Sequence, residues 1–273
     1  MANTQYTCAS SSSDFVRSTP DATLSLTVAY DGAPFAGFAR QKNLATVQGQ
    51  LEQALSTLFR RNIEVVCAGR TDSGVHAQGQ VVSFDLKSAE LESRTLRSIR
   101  KGVQALVGEG IVIRKVEQRK PGFSARFDAL YRHYRYYICI DKTPPLLCRN
   151  TSWFAGGALD VSAMQQAAQH LIGSHDFKSF CTAVSACGQN TTRVVHEIAF
   201  EVETVLGERM LVVNVRGNAF LHSMVRTIVG TLVAVGKGKR KPSWVADVLA
   251  ARDRRAAGEN APACGLVFWE VGY

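Results

Sequence analysis

The feature that most constrains the fold of this chain is a change of apolar period, from two to nearly four and back, that runs once through a fixed order of elements. Leu24 to Tyr30 reads Leu-Ser-Leu-Thr-Val-Ala-Tyr, an alternation that predicts a strand. A turn through Asp31, Gly32 and Gly37 follows, after which Val47, Leu51, Leu55, Leu58 and Phe59 recur at helical spacing and give one apolar face. Ile63 to Ala68 is a β-branched run and Val81 to Leu86 alternates, so both are predicted strands. Leu96, Ile99, Val103 and Leu106 then mark a second helix, and Ile111 to Val116 a closing strand. The order is βαββαβ.

The second half of the chain repeats that order without repeating the sequence. Tyr131 to Ile140 predicts a strand, and Asp160 is a good N-cap for a helix carrying Val161, Met164, Ala168, Leu171 and Ile172 that Gly173 ends. Strands are predicted at His196 to Val205 and Met210 to Arg216, joined by a turn at Gly207. Phe220, Met224, Ile228 and Leu232 then stripe a helix that Gly236 stops. A short helix after Pro242, with Trp244, Val248 and Leu249, precedes a last strand from Leu266 to Val271. The expected fold class is α+β: two ferredoxin-like halves, residues 23–120 and 121–273, meeting near Pro121-Gly122, with antiparallel sheets flanking a central basic cleft.

Composition narrows the partners. The 273 residues are 46% hydrophobic and 20% charged, enough to bury a core. The net charge is +9. It comes from 15 basic against 11 acidic residues in 1–120 and 17 against 12 in 121–273, so it is spread over both halves and suits a polyanion. Seven scattered cysteines without a C-x-x-C pair argue against zinc or a redox dithiol and for a reducing, cytoplasmic location. No apolar run approaches the roughly 18 residues of a membrane span. Residues 1–22, Ser-rich from Ser10 to Ser13, read as a disordered lead.

The densest chemical signal is Ala68-Gly69-Arg70-Thr71-Asp72-Ser73-Gly74-Val75-His76-Ala77, where a strand breaks into a loop that presents an arginine, an aspartate and a histidine. Taken alone, Asp72 reads more readily as a turn aspartate that accepts backbone N–H bonds, because turn aspartates far outnumber catalytic ones. Four further pieces accompany it: Tyr30-Asp31-Gly32 with Gly37-Phe38; Phe123-Ser124-Ala125-Arg126-Phe127 with Tyr134-Arg135-Tyr136; Asn218-Ala219-Phe220-Leu221-His222-Ser223-Met224-Val225-Arg226; and Gly265-Leu266. In this order and spacing the chain, from about residue 23 to its C-terminus, resembles the TruA family of tRNA pseudouridine synthases.

That resemblance implies a homodimer that binds tRNA in a basic cleft and isomerises uridine at tRNA positions 38, 39 and 40, without a cofactor or metal. Asp72 matches the family's nucleophile, and Arg226 the arginine that keeps such a carboxylate ionised. Tyr134 matches the active-site tyrosine, expected to stack on the target base and to be a candidate for taking the C5 proton late in the reaction. Arg70 is expected to hold a phosphate or help displace the target nucleotide from its stack, and Arg126 and Phe123 belong to the matched substrate-binding segment. Arg119, Lys120, Arg132 and Arg135 extend that segment as a basic stretch, and Lys237, Lys239, Arg240 and Lys241 form another, each a candidate lining of the RNA path. Tyr131, Tyr136 and Tyr137 read as strand packing. His76 and His222 lie on matched motifs but lack a third ligand at metal spacing. Ser73 stands where the family usually has Ala, and Phe38-Ala39 where Trp-Gln is common. The competing interpretation is a non-catalytic RNA-binding protein on the same scaffold.

Overall fold

The computed structural model describes residues 20–182, 186 and 188–273. Of the lead expected over residues 1–22, residues 1–19 lie outside the described residues, and Ala22 already opens the first strand. The chain is α+β. Its first half contains β1 (Ala22–Tyr30), α1 (Val47–Phe59), β2 (Val66–Cys67), β3 (His76–Leu86), α2 (Ser88–Glu92), α3 (Leu96–Leu106) and β4 (Ile111–Arg119). The second contains β5 (Tyr131–Cys139), β6 (Trp153–Phe154), α4 (Val161–Gln169), β7 (Gly173–Asp176), β8 (Thr192–Val205), β9 (Glu208–Gly217), α5 (Met224–Gly236), α6 (Trp244–Ala251) and β10 (Leu266–Gly272).

The expectation of two sheets needs correction. There is one ten-stranded sheet, in the order β4-β1-β3-β10-β5-β9-β8-β7, with β2 on β3 and β6 on β5. The two halves join where β10 runs parallel to β3, Val267 facing His76 and Phe268 facing Ala77. Apart from this seam and the short β5·β6 pair, every strand pair is antiparallel.

In β1 the apolar alternation is right, but both faces are covered. Leu24, Leu26 and Val28 are buried in the core, and so are Thr23 and Ser25 between them. The polar positions are tolerated because each hydroxyl has a partner: Thr23 donates to Asp85 Oδ1 at 2.7 Å and accepts from Gly122 N, while Ser25 accepts from Arg119 Nε at 2.9 Å. The segment after Pro121 thus lies across the first-half strands, and Ala125 N donates to Ser83 Oγ of β3 at 3.0 Å.

α1 forms as its spacing predicts, capped by Thr46 Oγ1, which accepts from Gly49 N, and burying Val47, Leu51, Ala54, Leu55 and Phe59. Its side chains also shorten the next strand. Ile63 N donates to Ser56 Oγ and Val65 N to the buried Glu52, so only Val66–Cys67 of the predicted 63–68 run pairs with β3. β3 in turn begins at His76 rather than Val81, because Ala77 pairs with Tyr30 on one side and the seam holds it on the other. Asp160 caps α4 through Ala163 N, but Gly173, with φ of 103°, opens the unforeseen β7 against β8. Phe220 precedes α5 and is not part of its stripe.

Candidate active site

The turn between β2 and β3 is fixed by its neighbours through hydrogen bonds that leave the Asp72 carboxylate free. Gln80 Nε2 donates to Gly69 O at 2.6 Å, the Tyr30 and Thr71 hydroxyls lie 2.8 Å apart, and Phe38 N donates to Thr71 O at 3.0 Å. Ser73 donates to Phe35 O at 3.1 Å, a bond that alanine could not make. Gly37, with φ of 103°, is required at the contact: a Cβ there would stand 3.0 Å from Thr71 O and 3.2 Å from Ser73 N. Asp72 itself accepts Val75 N with its backbone oxygen, closing the turn without the side chain.

The carboxylate reaches across to the start of α5. Oδ2 accepts from Arg226 Nη1 at 3.0 Å and from Ser223 Oγ at 2.9 Å, and His222 Nε2 stands 3.0 Å from Oδ1. Thr182 Oγ1 lies 3.2 Å from the other ring nitrogen of His222. The side chains of Asp72 and Arg226 are 20% and 17% exposed, so water screens the pair only partly, and the helix N-terminus adds its own favourable field for an anion. Arg226 is braced from behind, with Nε donating to Ala261 O at 2.8 Å and its backbone oxygen accepting from Ala261 N. That bracing depends on Gly230, where a Cβ would stand 1.9 Å from Glu259 O and push the 259–261 segment off the helix.

Around this pair lies a cavity of about 1030 Å³ lined from both halves of the chain. The structure brings Asp72, Arg226, Tyr134, Arg70 and Arg126 to it together. Tyr134 is 7% exposed, held edge-on by Phe220 (5.2 Å between centroids) and Phe268 (4.9 Å), and burial pushes its hydroxyl pKa well above the usual tyrosine value. The exposed Arg70 makes no side-chain hydrogen bond or ion pair among the described residues; Arg126 lies over the Phe127 ring, which is 78% exposed. Phe123 is not brought to the cavity. It is buried edge-on against Tyr273 at 4.9 Å with Arg119 over its ring.

The basic stretch divides in the same way. Arg119 binds Ser25 and Glu117, and Arg135 pairs with Glu203 and lies over Trp269, so both are committed elsewhere. Arg132 does line the cavity, yet it is 8% exposed and donates to the backbone oxygens of Ala68, Arg126, Ala129 and Asn218. Lys237 donates to Ala155 O, and Arg240 stacks on Trp244. Tyr136 is fully buried with its hydroxyl on Pro262 O, as strand packing predicts. His76 accepts from Gly32 N through Nδ1 and faces Asn150 O through Nε2, a positioning role for the turn after β1.

The sequence reading missed Ser223, the pairing of His222 with Asp72, and Arg193, whose guanidinium lines the cavity with its Nε buried. It also missed the structural use of Arg132, for which a signal existed: Arg132, Tyr134, Tyr136 and Ile138 share one period-two face of β5, and all are buried. Among the described residues no group of three His, Cys, Asp or Glu side chains is placed to hold a metal ion. None of the described helices is long and apolar enough to cross a membrane.

A mixed sheet with an arginine-paired aspartate in the turn before a central strand defines a class, and comparison with known proteins identifies it. The chain belongs to the tRNA pseudouridine synthase family, whose profile matches residues 26–128 and 167–273. It is 44% identical over 248 residues to tRNA pseudouridine synthase A of Brevibacillus brevis, covering 90% of this chain and 97% of that one. It is 40% identical to the Bacillus subtilis protein of the same name (92% and 98% covered) and 41% identical to that of Shewanella denitrificans (92% of each).

Proposed function

We propose that this chain isomerises uridine to pseudouridine in tRNA, acting in the anticodon stem-loop at positions 38, 39 and 40, with Asp72 as the nucleophile. The observation that carries this reading is the Asp72–Arg226 pair, 3.0 Å apart, in a cavity shared by the two halves of a chain of this family. The reaction breaks the N1–C1′ bond, turns the base and joins C5 to C1′, with one proton leaving C5 and one arriving at N1. Atoms and oxidation state are conserved, so no step calls for a redox cofactor. A carboxylate suits the central role because it can attack and then leave, and Arg226 sets a positive charge 3.0 Å from it.

The remaining residues bind and orient. Tyr134 supplies a ring against which the base can lie; burial favours its neutral hydroxyl, which makes it a positioning group rather than a phenolate base. Arg70 and Arg126 supply cations for phosphates, and Arg70, two residues before Asp72, helps displace the target nucleotide from its stack. Phe123, buried behind the segment that carries Arg126, supports that segment from below.

The same reading treats residues 23–120 and 121–273 as two ferredoxin-like halves, supported by the matching strand orders β4-β1-β3-β2 and β10-β5-β9-β8. It also includes a homodimer, and a cytoplasmic location, consistent with Cys67, Cys139, Cys148, Cys181 and Cys264 all being free thiols.

The test is pseudouridine mapping of bulk tRNA from a strain that lacks this protein and then regains it as wild type or as Asp72→Asn. Wild type restores pseudouridine at positions 38 to 40. The amide variant binds tRNA and restores none, because it is a poor nucleophile. Restoration by Asp72→Asn at a comparable rate would end the assignment.

A further inference from the structure

Ser223 stands where a helix ordinarily receives its cap, yet it does not cap. An N-cap serine normally has extended backbone and turns its hydroxyl back to a free N–H of the first helical turn. Ser223 instead has φ of 60° and ψ of 8°, the left-handed region that non-glycine residues seldom enter, and makes no capping bond to α5. Its hydroxyl donates across the cavity to Asp72 Oδ2 at 2.9 Å. The same oxygen takes Arg226 Nη1 from one turn further into the helix, while Oδ1 is met only by His222, whose side chain is 54% exposed.

Two features that disfavour a serine here, the left-handed backbone and the missing cap, are thus accompanied by a bond to Asp72, the one carboxylate lining the cavity among the described residues. Strain at such a point is a reason to look for function. We propose that Ser223 is a positioning residue for Asp72: its left-handed backbone redirects a capping hydroxyl to Oδ2, and with Arg226 it fixes that oxygen so that Oδ1 is the one presented to substrate. His222 is then the displaceable contact that substrate replaces. This inference rests on the reading of Asp72 as nucleophile.

Three substitutions separate the donor from the backbone. Ser223→Ala removes the hydroxyl and keeps the strain; Ser223→Gly removes both; Ser223→Asn keeps a donor on a residue that tolerates the left-handed region. The measurements are the single-turnover rate constant at saturating tRNA, tRNA affinity and the melting temperature, with Asp72→Asn alongside. Loss of a hydrogen bond to a charged group predicts a rate constant lower by roughly tenfold or more in Ser223→Ala, with affinity unchanged. Ser223→Gly melts at or above Ser223→Ala without recovering the rate, and Ser223→Asn recovers most of it. The inference is overturned if Ser223→Ala turns over like wild type, if Ser223→Gly matches wild type so that only the backbone matters, or if the whole defect lies in affinity. If Asp72→Asn remains active, the nucleophile assignment itself fails. An inactive Asp72→Asn beside a fully active Ser223→Ala removes only the role of Ser223.

Discussion

Two of the arginines that line the cavity are used in opposite ways. Arg132 gives its hydrogen bonds to backbone oxygens of Ala68, Arg126, Ala129 and Asn218, which belong to the end of β2, the 126–129 segment and the end of β9. No carboxylate joins it, and burial pulls its pKa below the usual arginine value. Arg226 gives one bond to a backbone oxygen and keeps Nη1 for Asp72. The difference teaches that a buried guanidinium is not by itself a sign of chemistry. Arg132 is a cross-brace that gathers three stretches of chain, whereas Arg226 holds the carboxylate proposed above as the nucleophile.

The sharpest way to break this comparison is to remove each arginine. Arg226→Ala is expected to slow single-turnover pseudouridine formation roughly thirtyfold or more, since truncating one side of a partly buried charge pair costs on the order of 2–5 kcal/mol. Arg226→Lys recovers part of the loss, because it restores the charge but not the forked geometry. A wild-type rate in Arg226→Ala would reduce Arg226 to a second brace.

Arg132→Ala is expected to act on folding instead. Several backbone oxygens lose their donor at once, which predicts a loss on the order of 3 kcal/mol and a melting temperature lower by roughly 6–12 °C. Arg132→Lys gives little relief, since an ammonium does not span four oxygens. Calorimetry on the two variants checks this, and a large loss of rate with unchanged melting would make Arg132 a chemical residue after all.

The smallest effects belong to the rim. Log affinity for tRNA is expected to fall linearly with log salt, and Arg70→Ala and Arg126→Ala each to reduce that slope by about 1, as free cations facing phosphate do. Arg135→Ala, whose guanidinium already pairs with Glu203, leaves the slope unchanged. Titrations at several salt concentrations distinguish the three.

Much of the fold was legible because the apolar periods report burial directly. The stripe of α1, the pair Ile99 and Val103 of α3 and the alternation in β1 mark residues that are in fact buried, although Leu106 of the α3 stripe is exposed. What stayed hidden depends on partners distant in sequence. β2 was cut short by α1 side chains that take its backbone donors, and nothing within Ile63–Ala68 announces this. The merging of two sheets into one rests on Val267 and Phe268 meeting His76 and Ala77, a contact with no local signature. At the site, residue types with a charge to account for, Asp72 and Arg226, were found. Ser223 was not, because a serine before a helix is ordinary and only its backbone angle makes it unusual.

The parallel seam has a mechanical consequence. Neighbouring strands in a sheet are held about 4.8 Å apart by their own hydrogen bonds. The turn bearing Asp72 feeds directly into β3, and the next strand across, β10, joins it to the half that carries Arg226. The width between the two walls at the seam is therefore set by strand spacing. If Asp72 is the nucleophile, bringing a sugar against it calls for the RNA to swing a nucleotide out of its stack.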